Sequence, residues 1–174
     1  MKLNIGSNDV RLDGYTNLDM RDGQHVDIVD DAATLATVAD GSCEAITAHN
    51  ILEHFPYDQT AAVLACWVRK LKPAGIISIG VPDAELVFAR WMRGECTRAK
   101  YRGDQWLDAQ HSFFGNLDLL RSWHGDAAAM YGHQALFSEG SLRELMASAG
   151  LSDIVKVKPN HSDNVTLDGR LADG

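Results

Sequence analysis

The sequence predicts an α/β fold, a single doubly wound and mostly parallel sheet with a shortened N-terminal region and an irregular lid over about residues 83–137. Three observations predict it. Short apolar runs end four times over in a glycine, an acid or an amide. Runs of strand character alternate with a segment of helical period, the pattern of a parallel sheet with crossover helices. The run Ile76 to Val81 is apolar almost throughout, as a strand covered on both faces must be.

Lys2 to Ile5 is β-prone and stops at Gly6; Tyr15 to Asp19, Val26 to Val29 and Glu44 to Ala48 follow, the last two running into Asp30-Asp31 and His49-Asn50. A helix begins near Asp58, because Leu64, Trp67, Val68 and Leu71 recur at helical spacing, and Pro73 with Gly75 stop it. Ile76 to Val81 is the fifth strand. Asp83 is placed to cap a helix carrying Leu86, Val87 and Trp91. From Gly94 to Gly132 the chain is rich in Gly, His, Trp and charge without clear period, as an insertion over the strand ends would be. Ser141 and Glu144 read as a capping box ahead of Leu142, Leu145, Met146 and Ala149, with Gly150 as stop. Ile154 to Val157 and Asn164 to Leu167 complete the strands around a turn at Pro159 and Asn160.

The 174 residues and 45% hydrophobic content suit one globular domain with its own core. Against 24 Asp and Glu stand 16 Lys and Arg, a formal charge of -8, which works against a general grip on phosphate backbones, so no nucleic-acid partner is expected. Cys43, Cys66 and Cys96 have neither zinc-site nor disulfide spacing and read as reduced thiols of a cytoplasmic protein. No run approaches 20 apolar residues and no secretory leader is visible, so no membrane partner is expected. Oligomeric state is not legible.

In parallel sheets ligands bind outside the carboxyl ends of the strands, where strand order reverses, and the polar residues of this chain gather at those ends. Gly6 allows a sharp turn and close backbone approach, followed by Ser7 and by Asn8, which tolerates left-handed backbone; an ordinary strand-ending turn reads the same way. Asp19, 13 positions after Gly6, can accept hydrogen bonds from the vicinal hydroxyls of a ribose, or be a solvated loop carboxylate. So short a spacing leaves no room for a full helix, which counts against the pyrophosphate of NAD. Asp31 and Ala32 can receive the amine and the ring of an adenine, although Asp31 is equally suited to cap a helix. A metal centre on His49 and His54 lacks a third ligand at a telling spacing, so no metal is expected. Glu53-His54 suits loop stabilisation as well as contact with substrate. His111, His124 and His133 lie in or beside the lid, where a histidine can act as general base or simply be a surface residue; His111 and His133 flank the aromatic stretch and are the candidate catalytic bases.

Two segments taken together, Leu52-Glu53-His54-Phe55 and Leu71-Lys72-Pro73-Ala74-Gly75, each correctly placed relative to a strand, carry a resemblance. From Leu3 to about Leu151 the sequence resembles the class I S-adenosylmethionine-dependent methyltransferases, in particular a small group of predicted "type 11" methyltransferases. The resemblance implies a Rossmann-like methyltransferase fold and S-adenosylmethionine as cofactor. It places Gly6 against the methionine part, Asp19 at the ribose, Asp31 and Ala32 beside adenine, and His49 and Asn50 at the reacting centre, with Ser7 among the cofactor-binding residues. Asn8 and Ala74 stand where the family usually has glycine. A small-molecule or glycan acceptor is expected first and a protein next. The competing reading is a catalytically degenerate methyltransferase-fold module that binds a nucleoside-like ligand or a protein partner.

Overall fold

The computed structural model describes residues 1–8, 10–94, 99–100, 106–107, 113–115, 121, 132–159 and 164–172. Seven strands form one sheet in the order β3-β2-β1-β4-β5-β9-β8. They are β1 (Lys2–Ile5), β2 (Thr16–Asp19), β3 (Ile28–Val29), β4 (Cys43–His49), β5 (Leu71–Pro82), β8 (Leu151–Val157) and β9 (Asn164–Leu171). β9 runs antiparallel between β5 and β8, and the remaining contacts are parallel. A two-stranded ribbon, β6 (Ala99–Lys100) with β7 (Trp106–Leu107), lies outside this sheet.

Strand order moves in one direction from β1 to β3 and in the other from β1 through β4 to β5. Right-handed crossovers therefore send the two sets of connections to opposite faces. Helix α1 (Thr60–Lys70) joins β4 to β5, and α3 (Glu139–Ser148) leads into β8. Both lie on the face that carries Leu3, Ile5, Leu18, Ile46, Ala48, Ile77, Ile79 and Leu167, and their Val63, Leu64, Trp67, Leu142 and Met146 complete one core with those residues. On this side Trp67 donates its indole N–H to the carbonyl of Ala32 at 2.7 Å, tying the loop after β3 to α1.

The connections owed to the other face hold only turns among the described residues, so the absence of a helix after β1, expected from the short Gly6–Asp19 spacing, is met. The side chains there are polar and run in register across five strands, as Asn17, Asn4, Thr47, Ser78 and Asp168.

Element boundaries differ from the expected ones where local chemistry had two solutions. β3 keeps only Ile28 and Val29, because Asp27 turns back to accept from the Asn17 backbone N–H. β5 starts at Leu71, with Pro73 to Gly75 absorbed in an irregularity of the pairing with β4. Helix α2 (Ala84–Met92) is capped by Asp83 as expected, its carboxylate accepting from the N–H groups of Glu85 and Leu86. For α3 the capping box is Ser138 with Ser141, not Ser141 with Glu144. The Ser138 hydroxyl accepts from Ser141 N–H and the Ser141 hydroxyl from Ser138 N–H, because the helix begins one turn earlier, at Glu139.

Candidate functional site

The switch in strand order falls between β1 and β4, and the residues singled out at the strand ends line this carboxyl edge in sequence: Asp31 and Ala32 after β3, Asp19 ending β2, Gly6 and Ser7 after β1, His49 and Asn50 at the end of β4. Gly6 has φ 71, a left-handed conformation, and with Ser7 donates its N–H to the carbonyl of Leu18. The chain thereby turns across the end of β2 within two residues. Ser7 is buried, and its hydroxyl has no hydrogen-bond partner.

Asp19 is buried and held on both oxygens. It accepts from Asn8 N–H at 2.8 Å and from Arg21 N–H at 3.0 Å, with the Arg21 Nε at 3.5 Å. A carboxylate has about four acceptor positions, so these bonds fix its orientation without exhausting it. Asn8 takes the φ of 50 that an asparagine tolerates, and its side-chain oxygen receives Arg21 Nη2 at 2.6 Å. The Asn8 found in place of glycine is therefore part of the clamp on Asp19.

One strand over, Asp30 accepts from the backbone and hydroxyl of Thr37. Burial works to raise its pKa, but these hydrogen bonds prevail and hold it below the usual carboxylate value. Asp31 is exposed and accepts from Ala33 N–H at 2.8 Å, a turn-capping contact. Ala32 is buried, with its carbonyl under Trp67.

At the end of β4, His49 Nε2 lies 3.1 Å from the Ser78 hydroxyl. Asn50 has φ 57, donates its N–H to the Gly80 carbonyl and receives the Asn164 side-chain amide. Ile51 then lies over Gly6, so close that a Cβ on Gly6 would stand 3.1 Å from its Cδ1.

The 3-10 turn Leu52–His54 follows at once and packs on α1. Here the structure brings together residues that spacing alone had left apart. Glu53 accepts the N–H groups of Gln134 and Ala135 through its backbone carbonyl, and the Gln134 side chain donates to the His54 carbonyl. These contacts seat His133 beside the turn, with its ring edge-on to His54 at 4.9 Å and its Nε2 3.9 Å from Glu53 Oε1. The Glu53 side chain is 1% exposed, and neither oxygen has a hydrogen-bond partner. At 3.9 Å His133 is too distant to hydrogen-bond it, so burial prevails and the carboxyl is pushed up to about 8.

Of the two candidate bases, His133 is therefore placed beyond the end of β4 and mostly buried, whereas His111 lies outside the described residues, as does His124. Glu53 was legible as part of Glu53-His54 but not as a member of a three-residue cluster.

Comparison with known proteins agrees with the fold. A family model described as a methyltransferase domain matches residues 8–156. No curated protein sequence matches. Among solved structures, the Burkholderia thailandensis 1,6-didemethyltoxoflavin-N1-methyltransferase, with bound 1,6-didemethyltoxoflavin and S-adenosylhomocysteine, is similar at TM-score 0.59 and 16% identity over 99% of this chain and 71% of that one. An S-adenosylmethionine-dependent methyltransferase from Archaeoglobus fulgidus is similar at TM-score 0.58 and 10% identity, over 97% and 85%. An O-methyltransferase family protein from Burkholderia thailandensis gives TM-score 0.50 and 11% identity over 84% of this chain, which spans only 36% of that one. At these identities the structures speak to fold, and that fold is the Rossmann-like class I methyltransferase sheet. With the family model covering most of its length, the chain belongs to the methyltransferase-domain family.

Proposed function

We propose that the chain is an S-adenosylmethionine-dependent methyltransferase of the cytoplasm, acting on a small-molecule or glycan acceptor in preference to a protein. The observation that carries the reading is Asp19, a buried carboxylate at the end of β2 whose orientation is fixed by two backbone N–H groups and whose remaining acceptor capacity suits two ribose hydroxyls. The orphaned Ser7 hydroxyl beside Gly6 fits a second polar part of the same ligand. Asp31 and Ala32 lie one strand further out for the adenine, and His49 and Asn50 lie toward the acceptor. With only turns after β1 among the described residues, no helix N-terminus is offered there to a pyrophosphate, which favours this cofactor over NAD.

The cofactor supplies a methyl group already activated by the positive charge of its sulfonium. What the protein must then supply is alignment and exclusion of water. Asp19 and Gly6 fix one end of the donor, and the Ile51 side chain closes the floor between β1 and β4. A proton has to be removed only from a hydroxyl or protonated amine acceptor, and for that role the candidates are His133, which the structure describes, and His111, which lies outside the described residues.

Calorimetric titration with S-adenosylhomocysteine and with NAD tests the reading. S-adenosylhomocysteine binds and NAD does not; tighter binding of NAD would overturn it. One observation favours the degenerate-module reading instead, namely the Ile51 side chain against Gly6, which narrows the space for the methionine part. That reading gains if S-adenosylhomocysteine binds and no acceptor is methylated.

A further inference from the structure

We infer that Glu53, His54 and His133 form a binding site for one divalent metal ion of the zinc class. Each residue offers one ligand atom, and the three atoms all lie within 4.8 Å of one another. They come from two segments locked together by backbone hydrogen bonds, from Gln134 and Ala135 to the Glu53 carbonyl and from the Gln134 side chain to that of His54. The cluster is thus held by the fold rather than assembled from loose side chains.

Glu53 gives the cluster its direction. A carboxylate that is 1% exposed, with neither oxygen hydrogen-bonded, is an expensive thing to bury, and the known remedies are a proton, a paired charge or a metal ion. Two imidazoles at the same point, one with its nitrogen 3.9 Å from the carboxylate, make the third remedy available. Two nitrogens and one oxygen are one of the donor sets of catalytic zinc sites, which keep three protein ligands and one open position. Tetrahedral coordination at zinc–nitrogen distances of about 2.0–2.1 Å sets donors roughly 3.3 Å apart, so the present spacing closes by rotation of side chains. Each imidazole would bind through one nitrogen and keep the other for an orienting contact. Borderline nitrogen donors favour Zn2+, Co2+ or Ni2+ over Mg2+, which prefers an all-oxygen shell.

The ligand-bearing turn begins two residues after Asn50, so the ion lies beside the segment assigned to the reacting centre. The open position would take an oxygen or nitrogen of the acceptor and ease its deprotonation, so that with the ion bound His133 holds the metal rather than the proton and His111 is left as the candidate base. That role rests on the methyltransferase reading; metal binding itself does not.

Equilibrium dialysis of chelator-treated protein against Zn2+, with Co2+ as a spectroscopic probe, decides the matter. The full chain takes up one equivalent, Co2+ shows the visible bands of a four- or five-coordinate site, and Mg2+ does not compete. In Glu53→Gln and in His133→Asn, each checked for native circular dichroism, Zn2+ affinity falls at least 100-fold. Should Glu53→Gln not fold, His133→Asn carries the comparison. No uptake by the wild type, or equal uptake by the wild type and folded His133→Asn, overturns the site. S-adenosylhomocysteine binding is measured on the same samples. Metal uptake without it leaves the site standing and removes the methyltransferase reading, and the reverse result does the opposite.

Discussion

On one face of the central sheet Leu3, Ile5, Leu18, Ile46, Ile77 and Ile79 lie buried beneath α1, α3 and the loop after β3, whereas on the other the same strands present Asn17, Asn4, Thr47, Ser78 and Asp168. A doubly wound sheet normally asks for apolar side chains on both faces, because helices cover both. Here the connections that would bring helices to the second face are turns, and the strand residues have changed in step. Asn4 donates to Asn17 at 2.9 Å, Asn17 in turn receives Leu12 N–H, and Asp27 accepts from the Asn17 backbone and side chain. Asp19 and His49 stand on this same polar face, at the edge where the ligand is expected. Burial on one face thus supplies stability, and the other is free to carry polar chemistry to the strand ends.

The largest test of that division is Trp67→Ala. Trp67 is fully buried on the covered side and also holds the Ala32 carbonyl, so its loss should cost about 3–5 kcal/mol in urea unfolding. A cost below about 1 kcal/mol would mean that this face is not the core.

Next comes Glu53, a polar group that sits on the covered side, in the turn packed on α1. In metal-free protein its folded pKa is about 8, against an ordinary value of 4.5. Below the lower value both folded and unfolded chains hold the proton and the contribution is complete. Between the two values the unfolded chain releases a proton that the folded chain keeps, so stability declines as pH rises and the contribution is lost on passing about 8. The expected decline from pH 5 to pH 9 is on the order of a few kcal/mol, at roughly 1.4 kcal/mol per unit. Urea midpoints across that range, in chelator, measure it. Glu53→Gln should flatten the profile; an unchanged slope in the variant would assign the pH dependence to other groups.

How much of this division was legible follows from the same residues. The strands were readable as apolar runs stopped by turn residues, but Ile76 to Val81 read as covered on both faces, whereas Ile76 and Ser78 face the polar side; the short Gly6–Asp19 spacing showed that the first helix was missing. That β9 would insert antiparallel was not readable, since its residues Asn164 to Leu167 look the same in either direction. The start of α3 was misplaced because two serines three positions apart, Ser138 and Ser141, can each cap a helix, and only the course of the chain from Phe137 decides. The Glu53–His133 pairing joins residues far apart in the sequence, and no local period records it. Asp19, by contrast, was placed by the sequence at the end of a strand, and it does end β2.

Asp19→Ala tests whether the polar face does bring ligand chemistry to that edge. A charge-assisted hydrogen bond is worth roughly 1.5–3 kcal/mol, so S-adenosylhomocysteine affinity should fall on the order of 10- to 150-fold by calorimetry, in a variant with wild-type circular dichroism. Part of that loss would come through Asn8 and Arg21, whose contacts the side chain also holds. Arg21→Ala separates the two contributions, since it removes the guanidinium contacts to Asp19 and Asn8 but leaves the carboxylate and its two backbone N–H bonds, and it should weaken binding by a smaller factor. Equal affinity in folded Asp19→Ala would remove the residue from the site.

The smallest expected effect is the most direct probe of the two faces. Thr47 lies mid-strand in β4, in register with Asn4 on one side and Ser78 on the other, and is only partly buried. If its face is a solvent-side polar surface, Thr47→Val changes stability by no more than about 0.5 kcal/mol, as surface substitutions usually do. The neighbouring residue Ile46 points into the core and is fully enclosed, so Ile46→Val should cost about 0.5–1.5 kcal/mol for one methylene. Measured side by side in urea, the two variants compare adjacent residues of one strand that differ only in the face they serve. A stabilisation well above 1 kcal/mol from Thr47→Val would show that the polar face is in fact covered by apolar structure. A comparable loss would show that the threonine hydroxyl is a buried hydrogen-bonding partner, and in either case the division of labour between the faces would fail at its centre.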